Sequence, residues 1–307
     1  MHNRFEPYSR IVSDLRTGLM WSRDAAPAEF PLTWKEAFDF VHALNSRQFA
    51  GYGDWRLPNR RELFSLVSHS RINPALPEGH PFENVFPGYY WSATTCARLP
   101  DQAWYVHMGG AKIYRGMKHA SYMVWPVRTQ KMAEEAVFQT GEKKCFDELG
   151  RIEQCEETLQ GASVHAGRPW PTPRFEVQAD TVTDHISGLT WMGNADPDGR
   201  PVAWQAARDL IGRMNRQSAS GYSDWRLPHI RELESLVDLS AHSPALPTAD
   251  LFEDVRDFYW SATTSQYETR YAWALYLKDG AVGVGFKPNP EFFLWPVRGG
   301  GFFEAGD

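Results

Sequence analysis

Two charged constellations in this chain have the residue types and spacing to do chemistry. Asp54 and Arg56 lie in Gly51-Tyr52-Gly53-Asp54-Trp55-Arg56-Leu57-Pro58, with Glu62 shortly after. Asp224, Arg226 and Glu232 repeat the arrangement around Gly221-Tyr222-Ser223-Asp224-Trp225-Arg226-Leu227-Pro228. Carboxylates beside an arginine suit acid–base catalysis or a calcium site. The same set also suits a structural role, in which an arginine held by carboxylates pins the loop after one helix to the start of the next. Both places keep the set together with its tryptophan, so Trp55, Arg56, Glu62, Trp225, Arg226 and Glu232 are assigned to the scaffold. Arg128 and Arg298 read the same way.

The cysteines are the other reactive groups. Cys96 has Ser265 near its repeated position, and no His or Asp is placed beside it to activate a thiolate. Cys145 and Cys155 flank a Gly150-centred turn that brings a hairpin disulfide within reach, a feature of oxidising compartments. The leftover Cys96 fits a reducing compartment better. With His165 the only further ligand candidate nearby, two cysteines make a poor zinc site, and no metal or cofactor is assigned. A His-Glu-x-x-His pair, a nucleophile elbow and a phosphate loop are all absent, so the chain is read as non-enzymatic.

What must position these residues is a sequence that says the same thing twice, about 170 positions apart. Gly18-Leu19-Met20-Trp21 returns as Gly188-Leu189-Thr190-Trp191. Tyr90-Trp91-Ser92-Ala93-Thr94-Thr95 returns as Tyr259-Trp260-Ser261-Ala262-Thr263-Thr264, and Trp125-Pro126-Val127-Arg128 as Trp295-Pro296-Val297-Arg298. Stacked repeat units are roughly 20–50 residues long, so this period marks two copies of a whole domain. The copies are placed at residues 8–129 and 175–299. A charged segment at 130–174, with proline at alternate positions near its end, reads as an extended linker, and the glycine-rich tail from Gly299 as frayed.

Each copy predicts an α+β domain of two helices followed by an antiparallel strand meander. Thr33 and Glu36 have capping-box spacing ahead of a helical stripe of Trp34, Ala37, Phe38, Val41 and Leu44. A second helix begins at Asn59, with its twin at His229. Period-two patterning then predicts strands over 89–95, 103–108, 111–115 and 122–128. The six tryptophan pairs that recur between copies are core.

Binding chemistry is sought where the copies differ. If Trp104 points inward, Tyr105 and His107 point outward. Together with Lys112, Tyr114, Arg115 and Lys118 they offer aromatic area and charge on the first meander, while Tyr276, Lys278 and Lys287 decorate the second. Residues 1–129 hold 15 Lys and Arg against 11 Asp and Glu, whereas residues 176–307 hold 11 against 19. An anionic partner is therefore expected at the first copy, near Arg60, Arg61, Arg71, Lys112, Arg115 and Lys118. The same asymmetry also suits docking of one copy on the other. The overall charge is −6, and no basic helix or base-stacking motif occurs, so nucleic acid is not an expected partner. No stretch reaches the roughly 18 apolar residues of a membrane span, so no membrane insertion is expected.

Thr17-Gly18-Leu19-Met20-Trp21, Asp54-Trp55-Arg56-Leu57-Pro58 with Arg61-Glu62-Leu63, Tyr90-Trp91-Ser92 and Trp125-Pro126-Val127-Arg128 together resemble the C-terminal domain family of the Legionella collagen-like adhesin, Lcl. Cys145-Phe146-Asp147, Cys155 and Trp170-Pro171-Thr172-Pro173-Arg174-Phe175 look like the leader such domains often carry. The resemblance implies kinship to the C-type lectin-like fold that formylglycine-generating enzymes also use. It also implies an adhesion-type binding protein that recognises a glycan, as the sulfated-glycosaminoglycan-binding adhesin does, or a protein surface. The competing expectations are an enzyme or accessory of the formylglycine-generating type using Cys96, and a surface or filament assembly component. By resemblance the protein is extracellular or periplasmic. The first ten residues lack a secretory apolar core, which makes a cytoplasmic location the alternative.

Overall fold

The computed structural model describes residues 4–131, 133, 136–156 and 158–300. The chain divides into two compact units, residues 1–169 and 170–307. In the first, strands β1 (Phe5–Pro7), β2 (Ile11–Asp14) and β3 (Leu19–Ser22) run antiparallel, and β7 (Val127–Thr129) returns to pair with β3, setting Trp21 opposite Val127. Between β3 and β7 come helices α1 (Trp34–Ser46) and α2 (Arg60–Leu66). The antiparallel meander β4 (Tyr89–Thr95), β5 (Gln102–His107) and β6 (Ile113–Met117) follows them. A small hairpin, β8 (Cys145–Phe146) with β9 (Ile152–Glu153), and one helical turn, α3 (Gly161–Val164), complete this unit.

The second unit repeats the plan. Its four-stranded sheet is β10 (Phe175–Gln178), β11 (Thr181–Asp184), β12 (Leu189–Met192) and β16 (Val297–Arg298). Its helices are α4 (Trp204–Arg216) and α5 (Ile230–Leu236), and its meander is β13 (Phe258–Thr264), β14 (Tyr271–Tyr276) and β15 (Ala281–Phe286). The mixed α+β architecture of two matching helix-and-meander modules is the one the sequence predicts. The four-stranded sheets are an addition to it, because strands of two to four residues are too short to display period two. The repeated architecture also reaches back beyond Tyr8. Arg4 grips Asp14 at 2.8 Å and donates to the Ser65 carbonyl, as Arg174 grips Asp184 and donates to the Ser235 carbonyl. The tail from Gly301 lies outside the described residues. No helix among them is long and apolar enough to cross a membrane.

The recurring tryptophans do two jobs. Trp34, Trp55 and Trp91 pack with Phe38, Val41 and Leu57 between α1 and the meander, and Trp21 meets Trp125 edge to face at 5.7 Å. Four of the indole N–H groups in each unit then bind backbone carbonyls. Trp34 donates to Ser92, Trp91 to Leu32, Trp55 to Phe49 and Trp125 to Ser22, all within 2.8–3.0 Å. Trp204, Trp260, Trp225 and Trp295 repeat these bonds to Ser261, Val202, Ala219 and Met192. Such an acceptor offsets the desolvation cost of a buried indole donor.

The charged constellations are scaffold, with one change of partner. Arg56 binds Glu62 through two bonds of 2.6 Å, and Glu62 also accepts the Asn59 amide at 2.8 Å, closing the capping box of α2. The Arg56 backbone exchanges both hydrogen bonds with Val127. Asp54, grouped with Arg56 in the sequence, belongs instead to Arg128, at 2.6 and 3.0 Å. The second unit keeps both pairs, Arg226 with Glu232 and Arg298 with Asp224. The carboxylates offered above for calcium are thus taken up by arginines. Among the described residues no group of three or more His, Cys, Asp or Glu is placed to hold a metal ion.

Burial separates the two pairs energetically. The Glu62 side chain is fully buried, whereas Asp54 is 57% exposed. Glu62→Gln strands a buried guanidinium and is expected to cost about 3–5 kcal/mol. Asp54→Ala is expected to cost no more than about 1 kcal/mol. Chemical unfolding followed by tryptophan fluorescence checks this ranking, which equal losses for the two variants would refute.

Candidate functional site

Strand β5 is covered on both faces. Trp104 lies beneath α2, with the Arg60 guanidinium 4.5 Å from its ring. Tyr105, on the other face, is 7% exposed and joins the Trp34–Phe38–Trp91 cluster, its ring 4.7 Å from Tyr89 and 5.0 Å from Tyr122. The expectation that Tyr105 faces solvent is therefore corrected. Helix α1 and the Tyr122 turn cover the face that alternation alone leaves open, and this burial raises the phenol above its usual range. His107 is half-buried against Tyr89, its Nδ1 accepting the Gly110 amide at 3.0 Å, and burial lowers its pKa.

Of the predicted binding residues, Lys112, Tyr114 and Arg115 do come together. The exposed ammonium and the guanidinium each lie 4.6 Å from the Tyr114 ring. The second unit has Ala281, Gly283 and Val284 at these places. There Tyr276 packs on Phe258 and Phe292, Lys278 is half-buried, and Lys287 lies 4.5 Å over Trp204.

Lys118 is a second correction. It is fully buried over the Trp34 ring, and Nζ donates to the carbonyls of Phe146 and Asp147 at 2.8 and 3.1 Å. Arg60 and Arg61 are buried as well, Arg61 donating to the Gln139 carbonyl, and Arg71 is engaged by Glu78. For Lys118 the cause is the segment after residue 130, which packs over it. Within it Cys145 and Cys155 are disulfide-bonded, Leu159 adds to the core, and Asn59 donates to the Ala166 carbonyl. Glu142 is buried at its centre, its carboxylate accepting the Thr95 amide at 2.9 Å and the Thr140 hydroxyl at 3.0 Å. Cys96 lies fully buried beside β4, and its thiol is shielded from solvent.

Accessible chemistry of copy-specific character lies elsewhere. A cleft of about 540 Å³ opens in the first unit between the β1–β2 turn, the C-terminal half of α1 and the loop after β3. Arg10, Arg23 and Arg47 line it, over an apolar wall of Phe40, Leu44 and Phe49. The Arg10 guanidinium stacks 4.2 Å from the Phe49 ring. Arg23 is steadied by Glu83 at 2.8 Å and by the Tyr8 carbonyl, while its buried Nε has no hydrogen-bond partner among the described residues. The carboxylate of Asp24, the other acid of the cleft, accepts the Ala26 amide.

Backbone bonds identify the counterparts. Arg23 N–H donates to the Arg10 carbonyl as Gly193 N–H donates to that of Asp180, and Arg47 and Gln217 cap the equivalent helices α1 and α4. The three arginines thus become Asp180, Gly193 and Gln217, and Phe49 becomes Ala219. These residues escape a search of the meander. The signal that finds them is the one already applied there, divergence between copies, extended to the N-terminal turns and the end of the first helix.

A duplicated, aromatic-cored α+β module with a cationic cleft in one copy defines the class, a domain scaffold that carries its variable chemistry in loops. Residues 10–128 and 180–298 each match the Lcl C-terminal domain family, and the chain belongs to that family. No curated protein matches the chain.

Glu142 generates a pH dependence. Burial, the dominant influence, raises its carboxyl from 4.5 to about 7 against the opposing bonds from Thr140 and Thr95. Between those values the folded state holds a proton that the unfolded chain has lost, so this group's contribution to stability falls as pH rises. Glu142→Gln removes the dependence. Relative to the parent protein, the variant is expected to gain on the order of 2 kcal/mol between pH 5 and 7. Thermal melts across that window test the assignment, and parallel curves for the two proteins would contradict it.

Proposed function

We propose that the protein is a non-catalytic binding protein whose first unit takes an anionic, partly apolar ligand, an acidic or sulfated glycan, in the Arg10–Arg23–Arg47 cleft. The observation that carries this reading is the replacement of all three arginines in the second unit while the surrounding backbone bonds are kept. Guanidinium groups match sulfate and carboxylate through paired N–H donors, and the Phe49 and Phe40 rings offer area for a sugar face. The meander cluster of Lys112, Tyr114 and Arg115 is the second cationic surface of this unit, and the excess of Lys and Arg over residues 1–129 attracts an anion to both. The kinship to the C-type lectin-like fold and the adhesion role expected from the family resemblance belong to this proposal. The formylglycine-generating alternative finds no support in a Cys96 thiol sealed from substrate.

Retention on a heparin column at low salt tests the proposal, with Arg10→Ala plus Arg47→Ala as the discriminating variant. Both side chains are exposed, so the fold is expected to stand, with stability changed by no more than about 0.5 kcal/mol. Retention is expected to fall at least tenfold in affinity terms and to weaken with salt. A parent protein that flows through at low salt, or a variant retained like the parent, would falsify the cleft assignment.

An extracellular or periplasmic location is part of the same proposal, supported by the Cys145–Cys155 bond, which forms and persists in oxidising compartments. Non-reducing mass analysis of the protein from its native cells is expected to show the bond. Two free thiols there would favour the cytoplasmic alternative.

A further inference from the structure

The two units present the same surface in two conditions. On the first, the bulged end of β4, the α1 tryptophan and the lysine after β6 are sealed: Trp34 is 3% exposed, Thr95 3%, and Thr94 and Lys118 0%. On the second, Ala262 is exposed, and Trp204, Thr263, Thr264 and Lys287 are each partly open. The local backbone is the same. Ala93 and Ala262 donate to Pro58 and Pro228, the bulge falls at the same place, and Trp34 and Trp204 N–H groups donate to the carbonyls of Lys118 and Lys287. What seals the first surface is its covering segment, with the Glu142 carboxylate on the Thr95 amide and the Phe146 and Asp147 carbonyls on Lys118.

The lysine reports the difference. Lys287 turns to groups of its own unit, the Thr264 hydroxyl and the Thr269 carbonyl, both at 2.9 Å. Lys118 has left the corresponding hydroxyl. Thr95 Oγ1 is buried with no hydrogen-bond partner among the described residues, while Nζ serves the covering segment. A buried polar atom without a partner is unfavourable, so the exchange of partners is driven by the segment and not by the lysine's own preference.

We infer that the face of the second unit around Thr263, Thr264, Trp204 and Lys287 is a docking site for an extended, carboxylate-bearing peptide segment of a partner polypeptide, held as residues 139–147 are held on the first. The first unit shows what the occupant must supply: a glutamate for the threonine pair at the bulge and successive backbone carbonyls for the lysine. The cations stacked on Trp204, Lys287 at 4.5 Å and Arg208 at 4.9 Å, complement both. This inference does not depend on the anion cleft, which lies in the other unit.

The test is binding of a synthetic peptide of residues 136–168, with its two cysteines oxidised, to the full chain by fluorescence anisotropy. One peptide is expected to bind per chain. Thr264→Val and Lys287→Met in the protein, or Glu142→Ala in the peptide, which removes the acceptor of the threonine amide, are each expected to weaken binding at least fivefold. The peptide variant leaves the protein's folding untouched and keeps the result readable if a protein variant is unstable. No binding up to about 1 mM, a Kd too weak for a specific segment, would overturn the inference. So would binding that ignores Lys287→Met but is lost with Lys118→Met, since the peptide would then be displacing the first unit's own segment.

Discussion

One carboxylate organises each unit. Glu62 accepts the amide that opens α2 and, with the same two oxygens, both arms of the Arg56 guanidinium. Arg56 in turn shares a two-way backbone bridge with Val127, at the far end of the domain sequence. A helix start, the loop that follows α1 and the closing strand are therefore fixed to one buried charge pair. Such a pair is weak evidence for stability in itself, because desolvation offsets much of the attraction, but removing either partner strands the other. Its geometric effect is the important one: it holds the start of α2 to the residue that bridges to the closing strand. Glu232 and Arg226 impose the same constraint on the second unit, with the arginine side chain 38% exposed in place of 8%.

The outer layer of each unit follows a different logic. The same scaffold carries three arginines around its N-terminal cleft in one copy and an acid, a glycine and an amide in the other. It also carries a covering segment on the first unit that alters the status of residues far from it in sequence. Lys118 is a binding residue in isolation and a buried anchor once Phe146 and Asp147 lie above it. Position in the fold, more than residue type, decides which cations of the first copy meet solvent.

Much of this was legible in the sequence. The capping box at Thr33 and Glu36 and the arginine held near the start of the second helix rest on local spacing, and local spacing is what a sequence displays. The boundaries of β4, β5 and β6 were readable to within two residues, whereas of the strand predicted over 122–128 only the end forms one, β7 at Val127–Thr129, with Tyr122 and Met123 in isolated bridges. Four features were not legible. The short strands before α1 carry too few residues for a period. Tyr105 obeys the alternation rule but faces a helix instead of water, and alternation cannot say what lies opposite a face. The burial of Lys118 and Glu142 depends on a segment that reads by composition as linker, and its contacts reach Asn59 from Ala166, 107 residues away. The cleft went unseen for a further reason: Arg10, Arg23 and Arg47 converge only after β2, β3 and α1 have assembled.

The indole bonds have a consequence for how such a domain can change. In both units four tryptophans hold main-chain carbonyls of strands and loops, and a carbonyl belongs to the backbone whatever side chain stands beside it. The acceptors are Ser22, Leu32, Phe49 and Ser92 in one copy and Met192, Val202, Ala219 and Ser261 in the other, and the same four bonds recur. Fastening a segment by its main chain leaves its side chains free to be rewritten. That is how Phe49, a wall of the cationic cleft, can be alanine in the twin without moving the tryptophan that donates to it.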